Sequence, residues 1–262
     1  MSCIKDAFAT SPNHKAFIPF ITAGDPTLAV TEELVVAMDE AGADLIELGI
    51  PFSDPTAEGP VIQEANIRAL KNTVTTDDVF DMVERIRKRT SVPLVIMTYA
   101  NVVFSYGIER FAARQAALGM GGVILPDVPF EEKEEFAVPF EKYGLDVVSL
   151  IAPTSNERVK MIAREAKGFL YCVSSLGVTG VRTNISTDIA AMVELVREAN
   201  PDLPCAIGFG ISNPEQARAM AKVSDGAIVG SAIVRMIAEA GEDSVAPVAA
   251  YVREMAEAVH SI

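Results

Sequence analysis

Residues Ile46–Pro60 read IELGIPFSDPTAEGP. A short apolar run carrying one carboxylate, Glu47, passes into a loop dense in Pro, Ser and Gly that carries two more acids, Asp54 and Glu58. The segment Gly59–Leu70 then starts with Gly-Pro and places apolar residues at helical spacing. Strand, polar loop and helix therefore follow one another, with side-chain periodicity switching from 2 toward 3.6.

The same unit recurs along the chain. Strand-like runs fall at Phe17–Ala23, Leu45–Ile50, Leu94–Tyr99, Gly122–Val128, Val147–Ala152, Phe169–Ser174, Cys205–Gly210 and Ala227–Gly230. Helical patterns lie between them, among them Thr27–Ala41, Thr76–Lys88, Pro129–Tyr143, Ser186–Glu198 and Pro214–Lys222. Eight strands alternating with helices predict an α/β fold, a (β/α)8 TIM barrel. A doubly wound sheet is the weaker alternative, since no GxGxxG follows the first strand. No linker or change in composition divides the chain, so residues 1–262 read as a single barrel domain. An extra N-terminal helix, Cys3–Ala9, is placed to close the barrel floor.

Composition narrows the function. With 22 Lys and Arg against 36 Asp and Glu, the formal net charge is −14, which disfavours a nucleic-acid partner. Every apolar run is short and interrupted, so no membrane span is expected. The N-terminus lacks the apolar core of a secretory signal. Three scattered cysteines, Cys3, Cys172 and Cys205, fit a reducing compartment. The expected location is cytoplasmic.

The chemistry is constrained as well. Only His14 and His260 are present, one before the first strand and one at the C-terminal tail, so neither a histidine base at a strand end nor a histidine metal site is expected. No lysine lies within a strand, where a Schiff base would need an apolar wall. No serine occupies a GxSxG elbow. Carboxylates, tyrosines and backbone dipoles remain.

Active sites of such barrels lie at the C-terminal ends of the strands. Glu47 is near such an end and shares its face with Leu45 and Gly49. Both faces of a barrel strand are apolar, so Glu47 is expected to be buried with a raised pKa. Asp54, in Ser-Asp-Pro, reads equally well as a turn residue. Glu58, just before Gly59-Pro60, fits the positive end of the following helix. Tyr99 and Tyr171, on the third and sixth strands, fit core phenols or walls of the same mouth. The glycines of Gly177–Gly180, Gly208–Ile211 and Gly230–Ala232, with Ser231, fall at the ends of the last three strands, where backbone N–H groups commonly hold phosphate. A phosphorylated substrate is expected.

FIPFITAGDP, IELGIPFSDP–GPVIQ, TYANVVF, LPDVP, GVTG, GFGIS and GSAIV, in this order from Phe17 to Val234, resemble the tryptophan synthase α subunit. The resemblance implies cleavage of indole-3-glycerol phosphate to indole and glyceraldehyde 3-phosphate. It implies no metal and no organic cofactor in this subunit, with pyridoxal phosphate expected only in a β partner. It further implies assembly with that partner as an α-β-β-α complex that receives the indole through a tunnel. By position, Glu47 corresponds to the catalytic acid/base, Tyr171 to the tyrosine beside it, and Phe20 and Tyr99 to pocket walls. Thr179 corresponds to the loop threonine that closes over substrate, and Gly180, Gly210, Gly230 and Ser231 to phosphate ligands. Pro51 and Asp54 belong to a loop that meets the partner. One departure stands out: Glu58 occupies a position where the family pattern SDPxADGP has Asp, the carboxylate that binds the indole N–H. A weakly catalytic α-like subunit that mainly activates a β partner, or a free-standing indole-releasing lyase, are the competing readings.

Overall fold

The computed structural model describes residues 3–173, 185–208 and 210–262. Its strands are β1 Ala16–Thr22, β2 Ile46–Gly49, β3 Leu94–Met97, β4 Gly122–Ile124, β5 Asp146–Ile151, β6 Leu170–Val173, β7 Cys205–Gly208 and β8 Gly226–Val229. All neighbours are parallel, and β1 pairs with both β2 and β8, so the sheet closes in sequence order. This is the expected TIM barrel.

Both faces of the strands are dry, which is why they read as continuous apolar runs. Ile18, Leu45, Val95, Ile124, Val148, Phe169, Ala206 and Ile228 fill the interior. Phe17, Ile21, Ile46, Leu48, Leu94 and Ile96 face outward onto helices. Helix α1, Cys3–Thr10, inserts Ile4, Ala7 and Phe8 beneath the interior layer, with the Phe8 ring 5.6 Å from that of Phe169. The floor is closed as the sequence suggested.

The outer layer contains α2 Leu28–Glu40, α3 Pro60–Lys71, α4 Thr76–Ile86, α5 Ala100–Tyr106, α6 Ile108–Ala117, α7 Glu134–Lys142, α8 Asn156–Glu165, α9 Ile185–Ala199, α10 Pro214–Val223, α11 Ser231–Ala240 and α12 Val245–His260. Local signals start several of them. Thr27 caps α2 by accepting from Val30 N–H, and Thr75 and Asp78 form a capping box on α4. In α12, Val248, Val252, Met255 and Val259 form a buried stripe, and the helix lies against α2 and β1.

Several boundaries differ from the sequence reading. β4 stops at Ile124 rather than Val128, because Pro126 cannot donate to a ladder. The segment Pro129–Tyr143 divides into a 3-10 turn, Phe130–Glu132, and α7. β3 stops at Met97, and Tyr99 becomes the N-cap of α5. Gly107, with φ 94°, separates α5 from α6, a backbone angle that favours glycine. His260 is the last residue of α12, at the floor, where its Nε2 lies 2.8 Å from Asp44 Oδ2. It is remote from the strand C-termini, as anticipated.

Candidate active site

The alternation of β2 turns Leu45 and Glu47 inward. Glu47 pairs in register with Phe20 of β1 and Val95 of β3 and is wholly buried. Neither carboxyl oxygen has a hydrogen-bond partner among the described residues. Burial pushes its pKa up to about 8, so it carries a proton at neutral pH. A carboxyl kept neutral by desolvation, with no competing bond, is ready to donate that proton to a bound molecule.

Phe20 and Tyr171 flank this carboxyl. The Phe20 ring occupies the space a side chain at Gly49 would need, since an added Cβ would come within 2.8 Å of Phe20 Cζ. Tyr171 lies against Gly208 in the same manner, its hydroxyl 2.4 Å from the position of an added Cβ. Burial first, and the Glu47 charge second, hold the Tyr171 phenol well above its usual range. Tyr171 therefore lies close enough to Glu47 to feel its charge. The role of Gly208 as the seat of this ring escaped the sequence reading, which treated it only as part of a phosphate-binding turn.

The loop after β2 leads to the second carboxylate. Phe52 stacks on Tyr99 with ring centroids 5.1 Å apart, and the Tyr99 hydroxyl accepts from Ala57 N–H at 3.1 Å. Burial drives the Tyr99 phenol up to about 12, opposed by the Ala57 bond and reinforced by the charge of Glu58. Glu58 is half-buried. Its Oε2 accepts from Asn66 Nδ2 at 2.7 Å, and its carbonyl accepts from Gln63 Nε2 at 2.8 Å. Burial raises its pKa, and hydrogen bonding from Asn66 and Tyr99 opposes the rise. Glu58 is thus aimed inward at the β2–β3 edge of the mouth and is more than a helix-start residue. Asp54 remains exposed on the loop, bonded to Ser53 Oγ at 2.5 Å. Pro51 is buried and lines a groove of about 410 Å3 with Phe52, the start of α4, and α5.

Three features around Glu58 and Tyr99 are absent from the sequence reading. Asn66 is 4 % exposed and shares the buried face of α3 with Ile62, Ala65 and Ala69. An amide on an apolar stripe is a legible signal. Asp25, also buried, forms a two-bond ion pair with Arg68, at 2.8 and 2.7 Å, which ties α3 to the loop after β1. Asp127, from the LPDVP stretch, accepts from Ala100 N–H at 3.0 Å and so holds the start of α5, where Tyr99 is the cap.

At the opposite edge, Gly230 is the N-cap of α11 and supplies no side-chain cap. The first N–H groups of this helix, from Ser231 onward, point toward the mouth without a capping side chain, a fit for an anion. Gly230 also packs beside Phe20, 3.3 Å from Cδ1 to an added Cβ. Gly210 is exposed with φ 73° and has open space around it. Thr179 and Gly180 lie outside the described residues. No group of three or more His, Cys, Asp or Glu that could hold a metal ion occurs among the described residues.

A family model described as the tryptophan synthase alpha chain matches residues 7–260. The tryptophan synthase alpha chain of Lacticaseibacillus casei is 47 % identical over 259 residues, covering 99 % of this chain and 96 % of the relative. The crystal structure of tryptophan synthase subunit alpha from Legionella pneumophila superposes with a TM-score of 0.89 at 38 % identity and covers all of both chains. A chain of the α2β2 tryptophan synthase complex from Pyrococcus furiosus matches with a TM-score of 0.84 at 37 % identity, over 92 % of this chain and 97 % of its own length.

Proposed function

The chain belongs to the tryptophan synthase alpha chain family, and from that premise we propose a residue-by-residue account of how it acts. It is a lyase that cleaves indole-3-glycerol phosphate to indole and glyceraldehyde 3-phosphate, and it works as the α subunit beside a β subunit, as its P. furiosus relative does in an α2β2 complex. The observation that carries the account is Glu47: wholly buried, without a hydrogen-bond partner among the described residues, and protonated near neutral pH.

Glu47 donates its proton to C3 of the indole ring, which leaves the ring cationic. The resulting carboxylate accepts the proton of the hydroxyl on the adjacent side-chain carbon. As that oxygen becomes the aldehyde carbonyl, the carbon–carbon bond breaks and its electron pair restores the aromatic indole. Glu47 is then protonated again, so one group serves as acid and base. Glu58 accepts the indole N–H and stabilises the positive charge of the protonated ring. Tyr171 and Phe20 wall the ring, and Tyr99 anchors the loop that carries Glu58.

The phosphate sits on the N-terminus of α11, against Gly230 and Ser231, with Gly210 just past the end of neighbouring β7. The family resemblance assigns Thr179 and Gly180 to the same substrate. Pro51 and Asp54 present the β2 loop to the β subunit. The chemistry is served by side chains of this subunit, with pyridoxal phosphate belonging to the partner. Residues 1–262 act as one barrel domain. No helix among the described residues is long and apolar enough to cross a membrane, and the cytoplasm is the proposed location.

Glu47→Gln keeps the shape and removes the transferable proton. In the presence of a β subunit, kcat for indole release is expected to fall by on the order of 10²–10⁴-fold with KM little changed. Cleavage near the wild-type rate would refute the role of Glu47.

A further inference from the structure

A second cavity, of about 510 Å3, lies on the helix-facing side of β5, beneath the 3-10 turn and α8. Its lining takes in Val148 and Leu150 of the interior face but none of Phe20, Glu47, Glu58, Tyr99 or Tyr171. Val148 belongs to the barrel interior, whereas Val147 and Ile151 belong to clusters packed against helices. Ser149, between Val148 and Leu150, alternates outward with Val147 and Ile151 and lines this cavity.

Ser149 is 7 % exposed, and its Oγ has no hydrogen-bond partner among the described residues. A strand position facing apolar helices ordinarily carries Val or Ile. Serine here leaves both empty volume and an unsatisfied hydroxyl, a combination that costs stability unless something else uses it. Leu125, Phe130, Ile151 and Ile162 supply apolar wall, while Asp127, Lys133, Thr154 and Arg158 add polar groups. A pocket of this size and lining suits a small organic ligand.

The rim decides the ligand's charge. Arg158 is neutralised by a two-bond pair with Glu131, at 2.6 and 3.0 Å. Asp127 keeps its charge but turns both carboxylate oxygens to Ala100 N–H, at 3.0 and 3.1 Å. Lys133 is half-buried at the rim, and its Nζ reaches the Glu165 carbonyl only at 3.4 Å. Among the described residues its ammonium has no bonded carboxylate.

We propose that this cavity is a second ligand site, which takes a small carboxylate with an apolar body about one ring in size. The carboxylate receives hydrogen bonds from the Ser149 hydroxyl and the Lys133 ammonium, and the body rests on Leu125, Ile151 and Ile162. This goes beyond the lyase reaction and does not depend on the roles assigned to Glu47 and Glu58.

The test is an NMR titration of the full chain, labelled at isoleucine and methionine methyls, with 3-phenylpropionate. Saturable shifts are expected at Ile151 and Ile162 with a Kd on the order of 1 mM, reasonable for so small a ligand. The uncharged 3-phenylpropanamide and the Lys133→Met variant should each weaken binding by about tenfold or more. Ser149→Ala should weaken binding several-fold while leaving the melting temperature unchanged or higher, because it removes an unsatisfied buried hydroxyl. Ser149→Leu should fill the cavity and abolish binding. Absence of saturable shifts at Ile151 and Ile162 would overturn the proposal. So would shifts centred on Met97, which packs beside Phe20, or equal affinity for the acid, its amide and the Lys133→Met variant.

Discussion

At the floor of the barrel, Asp44 accepts from Phe17 N–H at 2.7 Å and lies 2.8 Å from His260 Nε2. Nearby, Lys15 Nζ donates to the Ser224 carbonyl at 2.6 Å, and Asp225 accepts from Cys205 N–H at 2.9 Å. At the mouth, Glu47 is more deeply buried than Lys15, Asp44, Asp225 or His260, yet both its oxygens lack a partner among the described residues. The floor spends its polar groups on holding strand ends and helix ends together. The mouth keeps a carboxyl in reserve, at a cost in stability, and burial alone sets its protonation. Several buried hydroxyls, among them those of Thr22, Thr98, Ser244 and Tyr251, also lack a partner among the described residues; what sets Glu47 apart is that its unpartnered group is an ionisable carboxyl at the strand C-termini.

The largest test of this contrast uses the stability of the fold. A carboxyl whose pKa is raised from 4.5 to about 8 stays protonated in the fold after the unfolded chain has lost its proton. Wild-type stability should therefore decline as pH climbs from about 4.5 to about 8, by on the order of a few kcal/mol. Glu47→Gln should lack this decline, so its melting temperature relative to wild type should rise steadily across that range. Parallel curves for the two proteins would mean that Glu47 is not held neutral.

A smaller effect is expected at Glu58, which occupies the middle ground between the two ends: half-buried like a site residue but bonded like a structural one. Glu58→Asp shortens the side chain by one methylene, about 1.5 Å, and should lose the Asn66 bond along with contact to the indole N–H. A drop in kcat of roughly 10²-fold is expected, with Glu58→Ala at least as low. An Asp variant faster than wild type would show that the loop favours the shorter acid and that Glu58 is a poor fit.

The smallest effect belongs to the floor. His260→Ala removes the side chain facing Asp44 and should cost about 1 kcal/mol, a fall in melting temperature of about 2–4 °C. Steady-state kcat should stay within about twofold of wild type. A tenfold loss of activity would break the division of labour between the two ends.

The sequence reading located the centres of the strands and the position of Glu47, because apolar runs buried on both faces make a lone carboxylate conspicuous. It was less successful where long-range contacts set the structure. Helix α5 begins at Ala100 with the carboxylate of Asp127, 27 residues away, on its first N–H, and no local cap announces it. The end of β4 was extended past Pro126, although proline signals the exit from a ladder. Glu58 was legible as an acid near a helix start, but its Asn66 partner was not sought, even though an amide on the buried stripe of α3 pointed to it. The seating of Tyr171 on Gly208 depends on two neighbouring strands meeting in register, which spacing along one chain does not reveal.

The central claim is that the mouth of the barrel holds a neutral carboxyl at physiological pH. A 13C NMR titration of glutamate side-chain carboxyls, with Glu47 assigned by difference from Glu47→Gln, measures this directly. The account predicts a midpoint near pH 8 for Glu47. A midpoint near the ordinary glutamate value of about 4.3 would contradict it, because the proton that opens the reaction would then be absent.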